Sequence, residues 1–272
     1  MTFGSRYAEA LAQRGRLCAG IDPHADLLRE WGLPVSVAGL REFAQACVAG
    51  IAPVASVVKP QVAFFEQFGS AGFAVLEETI AGCRDAGAIV LADAKRGDIG
   101  STMAAYTTAW LDDESPLCSD AVTVSPYLGF GSLDPAIAAA RASDRGVFVL
   151  ARTSNPDGAD VQTATAGGTT VAQSIVDSAA AVNAQSPGTV GVVIGATRDH
   201  GLDLGALHGP ILSPGLGAQG ASAADLARIF GDADHSWLLP AASRSILRAG
   251  PDVAALRSAV ESTRDDIERA LR

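Results

Sequence analysis

Eight short runs of apolar, β-branched residues recur along this chain, and most of the intervals between them hold Ala- and Leu-rich stretches of helical periodicity. They are RLCAGID (16–22), VASVVKPQ (54–61), AIVLADAK (88–95), DAVTVSP (120–126), GVFVLART (146–153), VGVVIGAT (190–197), PILSPGLG (210–217) and SWLLPAAS (236–243). Strands that are apolar almost without a break are buried on both faces, the condition of a parallel sheet covered by helices. Eight such βα units in about 250 residues match the count and size of an α/β (β/α)8 TIM barrel, with a doubly wound open sheet as the alternative. No low-complexity linker divides the chain, so residues 1–272 are read as a single TIM-barrel domain. The polar, glycine-rich stretch NPDGADVQTATAGGTT (155–170) reads as a mobile loop.

Composition excludes several function classes. With 48% hydrophobic and 18% charged residues the chain can bury a substantial core. A net charge of -10 argues against nonspecific binding of nucleic acid or anionic membranes, both of which need a basic surface. The opening MTFGSRYAEALAQRGRL reads as an amphipathic helix rather than a signal peptide, and no 18-residue apolar run suggests a membrane span. Cys18, Cys47, Cys83 and Cys118 lie far apart with no CxxC, and His24, His200, His208 and His235 show no ligand spacing. A cytoplasmic protein with no metal site is expected.

Reactive groups of a barrel belong at the C-terminal ends of its strands, and the unusual polar residues of this chain fall there repeatedly. Asp22 closes the first run, Lys59 sits in the second, and Asp93 and Lys95 end the third. In LADAKRGDIGST (91–102), Asp93, Lys95, Arg96 and Asp98 put four formal charges into six positions. Burying them is costly unless they neutralise one another or meet a charged ligand. Strand alternation points Asp93 and Lys95 to the same face, about 6 to 7 Å apart along the chain. Gly97 and Gly100 bracket Asp98 in a turn, and Ser101 or Thr102 is expected to cap the following helix. A lysine inside VVKPQ turns the balance from a solvated loop toward a site.

SPGLGAQG (213–220) contains a formal GxGxxG, but no acidic residue closes the next run, as a dinucleotide site would require. A glycine loop after the seventh strand, joined by Arg244 after the eighth, fits the phosphate site common in TIM barrels. Phe64, Phe65 and Phe68 recur at helical spacing and read as core. Ser125, Pro126 and Tyr127 are expected to line the pocket.

GIDPH (20–24), VVKPQVAFFEQFG (57–69), DAKRGDIGST (93–102), ARTSNP (151–156), SPGLGAQG (213–220) and AASRSIL (241–247) together resemble the orotidine 5'-phosphate decarboxylase family, in its longer bacterial branch called type 2. The likeness spans nearly the whole chain, and DxKxxDIGxT with an upstream lysine is its most specific part. It implies a cofactor-free decarboxylase making uridine 5'-phosphate, with Lys59, Asp93, Lys95 and Asp98 as the family's alternating charged array. By the same resemblance Lys95 protonates C6 of the pyrimidine and Asp93 faces the substrate carboxylate. Asp98, Ile99 and Thr102 match residues supplied by a partner subunit, which implies a homodimer with shared active sites. Asp22 matches a ribose ligand, and Gln219 with Arg244 the phosphate grip. Ser154 matches the pyrimidine-edge ligand, with Thr153 and Asn155 as adjacent alternatives.

Three other readings compete. A 3-keto-gulonate 6-phosphate decarboxylase or hexulose-phosphate synthase shares the DxKxxD element but binds a divalent metal through acidic strand ends. A noncatalytic nucleotide-binding barrel would not need the complete charged array. A Schiff-base aldolase needs a neutral lysine, which flanking carboxylates oppose.

Overall fold

The computed structural model describes residues 1–197, 199–217 and 220–272, leaving out Arg198, Ala218 and Gln219. Its strands are β1 Cys18–Ile21, β2 Val57–Pro60, β3 Ile89–Arg96, β4 Ala121–Val124, β5 Gly146–Arg152, β6 Val190–Ile194, β7 Ile211–Pro214 and β8 Leu238–Ala242. They pair in parallel in chain order, and β8 returns to β1 with Cys18 opposite Ala241, closing the expected (β/α)8 barrel. Each strand is shorter than or shifted from its apolar run, because the last residues of several runs leave the ladder to build the mouth.

Strand parity sorts the side chains. On β3, Val90, Ala92 and Ala94 face outward into the layer shared with the helices, while Ile89 and Leu91 face inward. Cys18, Val57, Phe148, Val193, Leu212 and Leu239 occupy equivalent inward positions. The helix Phe3–Arg14 plugs the bottom of the barrel by inserting Phe3, Tyr7 and Leu11 into this inner cluster. Each such large apolar side chain, fully buried, contributes about 1.5–3 kcal/mol. Gly188 and Gly146 admit the plug, since a Cβ on Gly146 would lie 2.4 Å from the Phe3 ring. The N-terminal amphipathic helix is therefore a stopper at the bottom of the barrel.

Segment 155–170, read from the sequence as a mobile loop, holds regular structure. It carries a 3-10 turn (Pro156–Gly158), a short helix (Ala159–Gln162) and a two-stranded antiparallel hairpin (Thr165–Ala166 with Thr169–Thr170). Gly167 and Gly168, with φ of 63° and 92°, form the tight two-residue turn that such a hairpin requires. No helix among the described residues is long and apolar enough to cross a membrane.

Candidate active site

One step above the apolar inward layer, the same strand positions become polar. Gly20 on β1 lies opposite Lys59 on β2, and Gln61 just beyond β2 bridges Asp93 on β3. The Asp93 carboxylate is buried and accepts four hydrogen bonds. Lys59 Nζ (3.0 Å) and Gln61 Nε2 (2.8 Å) donate to Oδ2, while Lys95 Nζ (2.7 Å) and Thr123 Oγ1 (2.9 Å) donate to Oδ1. Lys59 Nζ also lies 4.0 Å from Asp22 Oδ1. Burial alone would raise the Asp93 carboxyl, but Lys59 and Lys95 outweigh it and hold it well below the usual carboxylate range. Burial alone would lower the Lys59 ammonium, but Asp93 and then Asp22 outweigh it and push it up. Both groups thus stay charged at neutral pH, and losing one partner would cost about 3–5 kcal/mol by stranding the other.

Lys95 and Asp93 do meet, although not by plain strand alternation. The β3–β4 register slips between Ala92 and Arg96, and Lys95 lies in the slipped segment with φ of +48°. A side-chain-bearing residue in the left-handed region costs about 1–2 kcal/mol, so the surroundings must hold it there. Beyond it, Gly97 is required because a Cβ would lie 2.4 Å from the Ser125 carbonyl oxygen, and Gly100 takes a φ of +53° without the cost that a side chain brings at Lys95.

Asp22, Lys59, Asp93, Lys95, Ser154 and Arg244 line one cavity of about 320 Å³ at the C-terminal end of the barrel. Its apolar wall is Leu150, Val193 and Leu212. Asp22 Oδ1 and Ser243 Oγ are buried there without a hydrogen-bond partner among the described residues. Gly20 keeps these groups close, since a Cβ on it would lie 2.7 Å from Ser243 Cβ and 3.3 Å from Asp22 Oδ1. Thr153 and Asn155 line the same cavity as Ser154; the Thr153 hydroxyl donates to Asn155 Oδ1 (2.7 Å) and accepts from Gln162 Nε2 (2.7 Å), which commits it internally and leaves the Asn155 amide nitrogen free to donate among the described residues. The glycine loop after β7 reaches the cavity at Gly215, and Gly215, Gly217 and Gly220 take φ of 118°, 74° and 90°.

Other expectations separate from the cavity. Asp98 and Ile99 in the loop after β3, and Thr102 in the first turn of the following helix, lie outside it, and Ile99 is 61% exposed. Gln219 falls outside the described residues. The helix Gly100–Leu111 starts before Ser101 and Thr102, so neither is its cap. Ile99 holds that position without a side-chain bond, and Asp98 Oδ1 accepts from the Ile99 amide at 2.8 Å. Ser125, Pro126 and Tyr127 do not line the cavity, because the chain turns outward after β4 and leaves Tyr127 81% exposed. Phe65 is core as expected, whereas Phe64 packs its ring 4.1 Å from that of His24, which does line the cavity. Burial lowers the His24 imidazole below its ordinary value against an opposing pull from Asp22.

Gln61 and Thr123 were not among the residues the sequence singles out. Both carried a parity signal: Gln61 stands two residues after Lys59, and Thr123 is the one hydroxyl in the apolar run AVTV, two residues after inward-facing Ala121.

Residues 15–259 match the family model described as orotidine 5'-phosphate decarboxylase / HUMPS family. The chain is 56% identical over 272 residues to an orotidine 5'-phosphate decarboxylase of Corynebacterium glutamicum (strain R), with 98% of each chain covered. It superposes with a TM-score of 0.96 on the crystal structure of a candidate orotidine 5'-phosphate decarboxylase from Streptomyces avermitilis, at 52% identity, covering 99% of this chain and 96% of that one. The orotidine 5'-phosphate (OMP) decarboxylase of Leishmania donovani matches with a TM-score of 0.78 at 31% identity, covering 100% and 99%.

Proposed function

Since the chain belongs to the orotidine 5'-phosphate decarboxylase / HUMPS family, we infer that its barrel mouth converts orotidine 5'-phosphate to uridine 5'-phosphate and CO2, the last step of UMP biosynthesis. The observation that carries this reading is the buried Asp93 carboxylate held between Lys59 and Lys95 at the floor of the cavity.

Loss of CO2 from C6 of the pyrimidine breaks the C6–carboxylate bond and leaves its electron pair in an in-plane orbital that the ring delocalises poorly. A preorganised ammonium beside C6 favours that developing charge over the ground state, and Lys95 is placed to supply it. As CO2 departs, Lys95 gives its proton to C6 and recovers one from solvent. Asp93 faces the substrate carboxylate and raises the energy of the bound ground state, while Lys59 keeps Asp93 ionised. Asp22, with its unpartnered oxygen, takes a ribose hydroxyl. Ser154 takes the pyrimidine edge, a role supported by its place on the cavity wall and by the commitment of the Thr153 hydroxyl to Asn155 and Gln162. Arg244, with Gln219, grips the phosphate, and binding energy from that remote group closes the glycine loop over the ring.

Asp98, Ile99 and Thr102 act in the cavity of a second copy, so the working unit is a homodimer with shared sites. The exposure of Ile99, Tyr127 and Leu128 on this face supports that arrangement. The enzyme works in the cytoplasm, a reading supported by four cysteines that are all free and buried.

The metal-dependent reading within the family is disfavoured by Lys59, which stands beside Asp22 and Asp93 where that reading expects an additional carboxylate. Absorbance loss of orotidine 5'-phosphate in the presence of EDTA, with uridine 5'-phosphate formed in equal amount, tests the reading. Turnover that vanishes with EDTA and returns with a divalent cation, or no turnover at all, contradicts it.

A further inference from the structure

Thr123 is 1% exposed on β4 and has no part in the roles described so far. Its hydroxyl lies between two groups, accepting from the Lys95 amide at 2.9 Å and sitting 2.9 Å from Asp93 Oδ1. An amide N–H only donates and an ionised carboxylate only accepts, so the single hydroxyl proton must point at Asp93. One side chain therefore fixes both members of the Asp93–Lys95 pair.

The backbone explains why a hydroxyl is needed. The left-handed turn at Lys95 takes its amide out of the β3–β4 ladder, where pairing jumps from Ala92 opposite Val122 to Arg96 opposite Val124. That amide needs an acceptor inside the barrel, since an unpaired buried N–H is costly. Packing alone asks for no hydroxyl: Leu150 and Val193, apolar wall positions on β5 and β6, carry none, and valine has nearly the shape of threonine.

We propose that Thr123 is a positioning residue for decarboxylation, holding Lys95 in its left-handed backbone conformation so that the ammonium stays aimed at the reacting carbon while the Asp93 carboxylate is locked beside it. The proposal rests on the decarboxylase reading of the mouth. Removing the hydroxyl leaves the cavity walls and the phosphate grip in place but lets Lys95 relax toward the regular strand.

The test compares Thr123→Val and Thr123→Ser with wild type. For Thr123→Val, kcat is expected to fall about 10- to 100-fold, the range set by misplacing a reacting group by a fraction of an ångström to an ångström. The dissociation constant for uridine 5'-phosphate should change less than about three-fold, and Thr123→Ser should restore kcat to within about three-fold, since its hydroxyl can reach both partners. Hydrogen exchange at the Lys95 amide in ligand-free protein reads the clamp without turnover. Protection is expected in wild type and Thr123→Ser, with exchange at least about ten-fold faster in Thr123→Val. A Thr123→Val enzyme with wild-type kcat, or one whose loss is matched by an equal loss of nucleotide affinity, overturns the proposal. So does a Lys95 amide unprotected in wild type, which decides the matter even where Thr123→Val does not fold. A wild type without decarboxylation would instead sink the functional reading, while the exchange experiment still reports on the clamp.

Discussion

At the bottom of the barrel, Asp120 accepts from Arg6 at 2.7 Å and from the Val90 amide at 3.0 Å, and Arg6 goes on to the Asp144 carbonyl at 2.8 Å. At the top, Asp93 is just as buried and carries four donors, but its surroundings are left open. Among the described residues Asp22 Oδ1 and Ser243 Oγ lack hydrogen-bond partners and Arg244 meets no carboxylate, and Lys95 is held in a strained backbone with its side chain 44% exposed. Both ends hold a buried aspartate next to the apolar inner cluster. The lower one closes a plug made by Phe3, Tyr7 and Leu11, with the Tyr7 hydroxyl donating to the Trp237 carbonyl. The upper one leaves polar capacity unused. A charge kept for the fold is fully answered within the chain, whereas a charge kept for chemistry is surrounded by groups whose partner arrives from outside.

Variants at the two ends should therefore fail in different ways. The largest effect is expected from Lys95→Ala, which in the proposed mechanism removes both the proton donor and the positive charge beside C6. Decarboxylation should fall by about four orders of magnitude. Uridine 5'-phosphate binding, measured by calorimetry, should stay within about ten-fold because the ribose and phosphate contacts remain. Parallel loss of binding and turnover would make the lysine a structural element like those below it.

Arg244→Ala sharpens the contrast within the mouth. The kcat/KM for the phosphorylated substrate should drop about 10³-fold, yet any activity on orotidine, which lacks the phosphate, should barely change, because only the former uses remote binding energy at the reacting centre. Equal losses on both substrates would mean that Arg244 shapes the fold instead.

The smallest effect concerns pH. Asp93 has its carboxyl depressed below the ordinary aspartate value of 3.8, so its stabilising contribution is fully present above that value and is lost as pH falls through the lower, folded-state value. Lys59 is raised above 10.5, so its contribution is present below that value and is lost only as pH rises through the higher, folded-state value. The difference in unfolding free energy between wild type and Asp93→Asn should therefore be flat from about pH 5 to pH 9 and shrink below about pH 4, as followed by urea titration. A dependence centred near neutrality would mean that neither group is charged in the way the geometry requires.

Much of this could be read before the fold was known. The barrel was legible because burial on both faces leaves a repeated apolar signature, and Asp22, Lys59, Asp93 and Lys95 were legible because charges interrupt that signature at strand ends. Gln61 and Thr123 were harder, since a neutral polar residue in a strand is chemically unremarkable until its hydrogen-bond partners are known. The Asp93–Lys95 pairing was foreseen from alternation, but a register slip with a left-handed lysine produces it, and no local pattern encodes that. The hairpin in 155–170 was hidden by its polar composition, although Gly167–Gly168 between threonine-containing pairs was its signal. The cap was misplaced because Asp98 satisfies the amide just before the helix and leaves Ser101 and Thr102 inside the first turn. In the proposed homodimer Asp98, Ile99 and Thr102 would act on a surface of another copy, which one chain's pattern of burial does not contain.

The most direct measurement sets Asp93→Asn beside Asp120→Asn and follows kcat and thermal unfolding in both. Asp93→Asn should lose at least about 10³-fold in kcat. Asp120→Asn should turn over within about two-fold of wild type while its unfolding temperature drops by about 2–6 °C, as the loss of about 1–2 kcal/mol from a partly buried ion pair implies. A fully active Asp93→Asn enzyme, or an Asp120→Asn enzyme that loses turnover as steeply, would show that the two ends of the barrel are not divided between chemistry and folding.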